Sequence, residues 1–164
     1  MNIEPTQVKR LQKKEKISLE RMIVRKLEYE DYNKGFFELL SQLTSAEKPS
    51  FEDFKKHLDL IKERNVEQIY VATFDENTIV GTICVFVEVK FIHGLSKIGH
   101  IEDFVVDEKI RKNRIGTKLM DIAKKYCENQ NCYKIILDCE DKLIPFYQKF
   151  GFKKKANSMQ LYYI

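Results

Sequence analysis

The feature that most constrains the fold is a strand, loop, helix and strand arrangement in the second half of the chain. Residues 98–107 predict a long strand, and residues 113–127 carry apolar side chains at helical spacing. Residues 133–139, YKIILDC, form a nearly continuous apolar run, which is typical of a strand covered on both faces. A strand, a helix of this length and a strand form a right-handed crossover, so we expect the two strands to be parallel.

The first third of the chain predicts one strand and two helices. Residues 23–27 indicate a short strand, and Asp31 is expected to cap a helix that includes residues 36–40. That helix should end near Thr44. Residues 51–61, which follow Pro49 and Ser50, carry an apolar stripe at helical spacing and predict a second amphipathic helix.

The segments on either side of the crossover predict further strands. Residues 68–74 and 78–90 are rich in β-branched side chains and predict an antiparallel hairpin. A short helix is expected at 142–149, ended by Gly151, and a last strand is expected from Phe152 onward. The predicted fold class is therefore α/β (α+β), a mixed and mostly antiparallel sheet with a central parallel strand pair and flanking helices.

Length and charge favour one domain with a basic leader. A chain of 164 residues suits one domain, which we place at 22–164. The chain has a net charge of +4, and residues 1–26 alone contain eight Lys or Arg against three Glu. The leader, 1–21, is expected to be flexible and solvated rather than a nucleic-acid arm, because aromatic side chains for stacking are missing from it.

Several classes of protein are disfavoured by composition. No run approaches the roughly 18–20 apolar residues of a membrane span, and no secretory signal is evident, so we expect a cytoplasmic protein. The four cysteines form no CxxC pair and have no histidine at metal-ligand spacing. We expect free, buried thiols and no metal.

A cluster of positive charge precedes the predicted helix of the crossover unit. Its members are Arg111, Lys112, Asn113, Arg114 and Gly116. The first turn of a helix presents unpaired N–H groups that attract anions, and a glycine allows a close approach of the backbone. The cluster can therefore be a phosphate site or a charged surface turn. Its position after a strand that carries acidic residues favours a ligand site.

Five motifs together resemble a known family. The loop R-x-x-R-x-G-x-K-L at 111–119 is similar to the acyl-CoA pyrophosphate loop of the GNAT superfamily of N-acetyltransferases. The stretches GHIEDFVV (99–106), CYKIILDC (132–139), FYQKFGF (146–152) and KFIH (90–93) resemble the glucosamine-6-phosphate N-acetyltransferase family within it. The resemblance extends from about Ile23 to Tyr162.

The resemblance implies a GNAT fold and an acetyl transfer. The expected reaction moves acetyl from acetyl-CoA to the 2-amino group of D-glucosamine 6-phosphate by direct attack in a ternary complex. The product, N-acetylglucosamine 6-phosphate, belongs to UDP-GlcNAc biosynthesis. The family also implies an intertwined homodimer, in which the last strand of one subunit helps to complete the other subunit's site, and it implies no metal and no nucleic acid.

The resemblance also implies roles for individual residues. Glu102 and Asp103 match the acidic pair beside the amine, Asp138 an acid that orients it, and Tyr147 a tyrosine that steadies the departing thiolate. The residues that match coenzyme-binding positions are Phe104, Val105, Val106, Arg111, Lys112, Asn113, Arg114, Ile115, Gly116 and Thr117. Those that match sugar-phosphate positions are Thr44, Lys90, Phe91, Ile92, His93, Glu102, Asp103, Lys134 and Asp138.

Three positions depart from the family pattern. Arg114 replaces the first loop glycine, and the coenzyme loop can keep its form if Arg114 adopts ordinary helical dihedrals. Leu143 replaces an asparagine that touches the coenzyme, and Tyr162 replaces an arginine that the partner subunit supplies to the substrate phosphate. Two other functions stay open: an N-acetyltransferase for a protein N-terminus, a lysine or another small amine, and a non-catalytic module that binds acyl-CoA or nucleic acid.

The acidic pair carries a structural prediction of its own. Adjacent residues on a regular strand point to opposite faces, so Glu102 and Asp103 line one pocket only if the strand is bulged. We predict such a bulge, which would also free a backbone N–H near Phe104 to stabilise an oxyanion. Without a bulge, Glu102 would simply face solvent.

Overall fold

A five-stranded mixed sheet forms the centre of the molecule. The structure is a computed structural model that describes residues 22–74, 77–111 and 113–163. Its strands, in spatial order, are β1 Ile23–Lys26, β2 Glu67–Thr73, β3 Ile79–Val89, β4 Lys97–Val106 and β5 Cys132–Ile136. Neighbouring strands are antiparallel except β4 and β5, which are parallel. The predicted hairpin, the crossover and the mixed, mostly antiparallel sheet with flanking helices are confirmed; the basic leader lies outside the described residues.

Helices cover both faces of this sheet. They are α1 Phe36–Leu40, α2 Phe51–Arg64, α3 Ile115–Asn129 and α4 Ile144–Gln148, and single helical turns occupy Tyr29–Asn33, Glu108–Ile110 and Asp141–Leu143. A turn at Ile92–Leu95 has left-handed dihedrals at His93 and Gly94. On one face, Leu119, Met120 and Ala123 of α3 pack against strand residues such as Ile83. On the other, α1 and α2 pack against Val71. Burying one such aliphatic side chain contributes about 1.5–3 kcal/mol.

The start of α1 differs from the prediction. Asp31 does not cap this helix; it lies in the preceding turn Tyr29–Asn33. Gly35, with a left-handed φ of 82°, separates that turn from α1. The fully buried Asp31 carboxylate instead accepts two hydrogen bonds from the Arg25 guanidinium, at 2.6 and 2.7 Å. By contrast, the predicted start of α2 is confirmed, because the Ser50 hydroxyl accepts a bond from the Asp53 amide.

The crossover unit is tightly packed. Helix α3 begins at Ile115, two residues after the predicted start, and connects β4 to the parallel strand β5. A Cβ atom on Gly99 of β4 would lie 2.3 Å from the Cys127 Sγ atom, so helix and strand approach as closely as a glycine permits.

The last strand that the sequence predicts is not formed. Residues 152–163 have no regular structure, although Pro145 and Gly151 delimit α4 as expected. Because no described strand pairs with the outer side of β5, the parallel pair lies at the edge of the sheet and not at its centre. The prediction that β5 is covered on both faces is therefore wrong: Tyr133 and Ile136 keep 43% and 39% of their surface exposed.

Candidate active site

Strands β4 and β5 separate at the end of the sheet that carries the acidic residues. Their pairing runs from Lys97 with Cys132 to His100 with Ile136 and stops there. Glu102 and Asp138 each follow two residues after that last pair, and both side chains are exposed. The separating strands thus leave an opening with a carboxylate on each side.

A bulge in β4 lies beside this opening. Thr82 pairs with Val105 and Cys84 pairs with Glu102, so Ile83 alone opposes both Asp103 and Phe104. Asp103 has a φ of 45°, in the left-handed region. The predicted bulge is confirmed, and its geometry explains how two adjacent carboxylates are both exposed.

The carboxylates of the site influence one another. Partial burial raises the pKa of Glu102, and the negative charges of Asp103 and Asp138 raise it further, while His100 lowers it. Burial, followed by the charge of Glu67 on β2, raises the pKa of Asp103. Glu102 and Asp103 therefore hold protons more strongly than isolated carboxylates do, which suits the acceptance of a proton near neutral pH.

Phe104 connects the bulge to the start of α3 and to α4. A Cβ atom on Gly116 would lie 3.3 Å from the Phe104 ring and 3.6 Å from the Phe146 ring. The ring centroid of Phe104 is also 6.4 Å from that of Tyr147. The absence of a side chain at Gly116 thus lets these aromatic rings pack against the first turn of α3.

Tyr147 is the most buried of the predicted catalytic side chains. It keeps 9% of its surface exposed and packs against Phe146 and Phe152. Burial and the nearby Cys139 raise its pKa to about 12. The phenol is therefore neutral at physiological pH and can donate a hydrogen bond. Phe146, Phe150 and Phe152 are partly buried and pack against the core.

The loop before α3 has an unexpected conformation. Arg114, the N-cap residue, has φ 57° and ψ 8° in the left-handed region, so the ordinary helical dihedrals considered for it are not adopted. It reproduces the conformation that glycine adopts most easily, at a cost of about 1–2 kcal/mol. The Arg111 Nε atom donates to the Val106 carbonyl at 3.2 Å. The predicted residue Lys112 lies outside the described residues.

The other predicted coenzyme-binding residues differ in how deeply their side chains are buried. Val105 and Ile115 are buried, at 4% and 1% exposure, so only their backbone atoms can meet a ligand. Thr117 is exposed, and Asn113, Phe104 and Val106 are partly buried.

One residue near the loop was missed by the sequence analysis. The Gln42 side-chain oxygen accepts a hydrogen bond of 3.0 Å from the Glu108 amide and so connects the segment after α1 to the loop before α3. No motif in the sequence marks Gln42. The predicted substrate residue Thr44 is exposed two positions later.

The predicted sugar-phosphate stretch lies at the opposite end of β4. Phe91 and Ile92 are exposed, and the His93 ring packs on the Tyr133 ring of β5 at 4.8 Å. The Lys90 ammonium contacts the Glu88 carboxylate, which faces back along the sheet toward His100. Lys134 is exposed on β5, and its ammonium lies 5.3 Å from the Tyr133 ring centroid.

The C-terminal segment contacts the site. The Ser158 hydroxyl donates to the Asp138 carboxylate at 3.1 Å. Met159, Leu161, Tyr162 and Tyr163 are each at least 76% exposed. The segment therefore reaches the opening between β4 and β5 while its apolar side chains remain in water.

Cysteine, metal and membrane features add little to the site. Cys84, Cys127, Cys132 and Cys139 are free, and Cys139 is exposed rather than packed as expected. In the described part of the chain, no three His, Cys, Asp or Glu side chains are grouped to hold a metal. Within residues 22–74, 77–111 and 113–163, no helix has the length and apolarity that a membrane span requires.

Comparison with known proteins identifies the family. The acetyltransferase (GNAT) family matches residues 27–152. Glucosamine 6-phosphate N-acetyltransferase of Arabidopsis thaliana is 36% identical over 142 residues, which cover 85% of this chain and 95% of that protein. Glucosamine 6-phosphate N-acetyltransferase 1 of Dictyostelium discoideum is 36% identical over 84% of this chain and 88% of its own. The crystal structure of the Arabidopsis enzyme superposes with a TM-score of 0.84, covering 87% of this chain and 99% of that one. The chain therefore belongs to the GNAT acetyltransferase family, in the branch formed by the glucosamine 6-phosphate N-acetyltransferases.

Proposed function

We propose that this protein transfers the acetyl group of acetyl-CoA to the 2-amino group of D-glucosamine 6-phosphate. The observation that carries the proposal is the opening between β4 and β5, with Glu102 and Asp138 at its sides. The start of α3 and the Tyr147 phenol both lie next to the bulge that borders this opening. Groups suited to bind an anion, accept a proton and donate to a thiolate are thus close together.

The first turn of α3 would bind the diphosphate of the coenzyme. Its unpaired N–H groups and the partial positive charge of the helix end favour an anion there. Arg111, Asn113, Arg114 and Thr117 surround this turn. Phe104 and Gly116 hold it against the bulge, so that a bound thioester would enter the opening between the strands.

The carboxylates would prepare the amine. An ammonium group has no lone pair for attack, so Glu102 or Asp103 takes its proton, directly or through one water, while Asp138 orients the nitrogen. The amine then attacks the thioester carbonyl carbon, and a backbone N–H at the bulge stabilises the oxyanion. The C–S bond then breaks, and the nitrogen loses its second proton to solvent as the amide forms. The neutral Tyr147 phenol donates a hydrogen bond to the departing thiolate.

A second copy of the chain would complete the site. The turn Ile92–Leu95, the outer edge of β5 and residues 159–163 expose several large apolar side chains to water. Such a surface is typical of a covered interface. An intertwined homodimer would cover it and would bring the C-terminal segment and Lys90 of one subunit toward the phosphate of the substrate in the other.

The remaining predictions complete the proposal. We propose that residues 22–164 form one domain, because both hydrophobic clusters pack on a single sheet. Four unpaired thiols are compatible with a reducing compartment, which supports a cytoplasmic enzyme.

The proposal is tested by following free thiol released from acetyl-CoA with three acceptors in parallel: glucosamine 6-phosphate, glucosamine and a basic peptide. We expect the highest kcat/KM with the phosphorylated sugar. Equal rates with both sugars would refute phosphate recognition, and the absence of thiol release with either would refute the sugar as the acceptor.

A second acceptor class has specific support. Tyr162, 76% exposed, stands where the family places an arginine for the substrate phosphate, and Leu143 stands where it places an asparagine. The same carboxylates and helix end would acetylate a protein N-terminus, a lysine or another small amine. Turnover with the peptide alone would favour this function.

A further inference from the structure

Three polar side chains on β3 and β4, those of Cys84, Glu88 and His100, lie near Glu102 and have no role in the mechanism above. Cys84 is opposite Glu102, Phe86 is opposite His100, and Glu88 is opposite Ile98. His100 and Glu102 are two residues apart on β4 before the bulge, so their side chains lie on the same face of the sheet. The imidazole is therefore the nearest neighbour of Glu102 along its own strand on that face.

His100 is held in place by two contacts. Its Nε2 atom lies 3.1 Å from the Glu88 Oε2 atom, and its ring centroid lies 5.6 Å from that of Phe86. The other Glu88 oxygen contacts the Lys90 ammonium. Glu88 thus places one carboxylate between the Lys90 ammonium and the His100 imidazole, and Lys90 belongs to the stretch that we propose to bind the sugar phosphate.

Glu102 has two acidic neighbours, and His100 is the basic side chain nearest to it on its own strand. Asp103 on β4 and Asp138 after β5 are both anionic neighbours of Glu102, and the Cys84 thiol lies on β3. Around His100, β3 presents Glu88, β4 presents Glu102, and β5 presents the apolar Ile136, with Lys134 two residues before it. The imidazole is therefore the basic group closest to the acids along β4.

We propose that His100 is a positioning residue: held by Glu88, its imidazole lies beside Glu102 on one face of β4 and, when protonated, favours the ionised carboxylate that takes the ammonium proton of the substrate. This inference rests on the proposed function. The ammonium N–H bond breaks, the proton moves to a Glu102 oxygen, and the nitrogen keeps the electron pair for its attack on the thioester carbon. A positive charge beside the carboxylate favours its ionised form, in agreement with the direction in which His100 moves the pKa of Glu102.

The test compares the acid limb of the pH profile of kcat/KM in four variants. His100→Gln removes the basic imidazole, so the limb should move to higher pH by about 0.5–1 unit, with about a three- to tenfold lower rate below it. His100→Lys places a basic group at the same position and should retain the wild-type limb. Glu88→Gln releases the imidazole and should cause a smaller shift in the same direction. His57→Gln, on the exposed surface of α2, is the matched control.

Two results overturn the inference. An unchanged limb in His100→Gln would mean that the imidazole does not act on Glu102. A limb that disappears or moves to lower pH would mean that the imidazole is itself the titrating base. Ionisations of the substrate are common to all variants and do not affect the comparison.

A second measurement, the titration of Glu102 itself, does not depend on catalytic activity. The carboxyl carbon of Glu102, assigned through Glu102→Gln, is titrated by ¹³C NMR in the wild type and in His100→Gln. We expect the apparent pKa to rise by about 0.5–1 unit in the variant. If thiol release with glucosamine 6-phosphate fails but this shift is found, the proposed function is wrong and the coupling of His100 to Glu102 remains. If the Glu102 titration is the same in both proteins, the coupling is refuted.

Discussion

Two parts of this molecule meet at the opening between β4 and β5, and they differ in how much of their apolar surface is buried by contacts within the same chain. The coenzyme half, residues 102–127, has Ile115, Leu119 and Cys127 buried to 1% exposure or less. The acceptor half, made of residues 90–95, 132–138 and 152–163, keeps many apolar side chains in water. The first half is finished by contacts within one chain, and the second is left to be completed by a partner. The two halves thus differ in which chain completes them as well as in which ligand they are proposed to bind.

The largest effect is expected where the two halves meet. Glu102→Gln removes the proposed proton acceptor but keeps the shape of the side chain, and we expect kcat/KM to fall about 10²- to 10⁴-fold. Glu128→Gln, an exposed acid on α3, is the control and should keep the wild-type rate. Both are measured by thiol release. A Glu102→Gln enzyme within twofold of the wild type would show that Glu102 is not the proton acceptor.

A charge placed on the acceptor half should prevent association. Leu161→Asp would bury an unpaired carboxylate in the proposed interface, so the dimer dissociation constant should rise at least about 30-fold, equivalent to about 2 kcal/mol. Leu60→Asp, on the exposed face of α2, is the matched control because its leucine is also partly exposed, at 41%. Sedimentation velocity over a concentration series measures both. Equal association of the two variants, or a monomeric wild type, would contradict the interface.

The packing of the coenzyme half against the preceding part of β4 should be sensitive to a single added methyl group. Gly99→Ala places a Cβ atom 2.3 Å from the Cys127 Sγ atom, and we expect the free energy of unfolding to fall by about 1–3 kcal/mol. Cys127→Ala in the same chain should recover part of this loss, because the two changes share one contact. Urea denaturation of the single and double variants gives the coupling. Additive losses would mean that β4 and α3 adjust without this contact.

The smallest expected effect concerns Arg114. Its left-handed conformation is strained, so Arg114→Gly should raise the free energy of unfolding by about 0.5–1 kcal/mol after the added entropy of the unfolded chain is counted. The KM for acetyl-CoA should rise, because a guanidinium near the proposed diphosphate site is lost. Asn65→Gly, with a φ of 49° at the end of α2, should gain less, since asparagine tolerates this region better. A less stable Arg114→Gly protein would show that contacts of the side chain outweigh the strain.

The coenzyme half was also the more predictable part. Helix α3 was predictable from the spacing of its apolar side chains, because these contact residues close in sequence or on neighbouring strands. The bulge at Asp103 was predictable because two adjacent acids can line one pocket only if the strand is bulged. Two local features of this half were not predicted, namely the dihedrals of Arg114 and the hydrogen bond from Glu108 to Gln42, because the periodicity of apolar residues does not depend on them. Glu67, which raises the pKa of Asp103 from two strands away, could not be found before the pairing was known.

The acceptor half was misread for a different reason. The run YKIILDC is as apolar as a fully covered strand, and the sequence from Phe152 onward has strand-like composition. In the single chain both remain at an edge, and Tyr133 and Ile136 stay exposed. Apolar sequence indicates that a surface is to be covered, and it does not indicate whether the cover comes from the same chain.

The most direct test asks whether one site uses two chains. Glu102→Gln protein is mixed with Tyr162→Asp protein, whose added carboxylate would repel the substrate phosphate, and the two are allowed to exchange subunits. If the C-terminal segment serves the partner, mixed dimers contain one intact site, and random exchange should restore about a quarter of wild-type activity from two nearly inactive parents. If each segment serves its own chain, as the bond from Ser158 to Asp138 permits, every site keeps a defect. Activity that stays at the level of the parents after complete exchange would contradict the account.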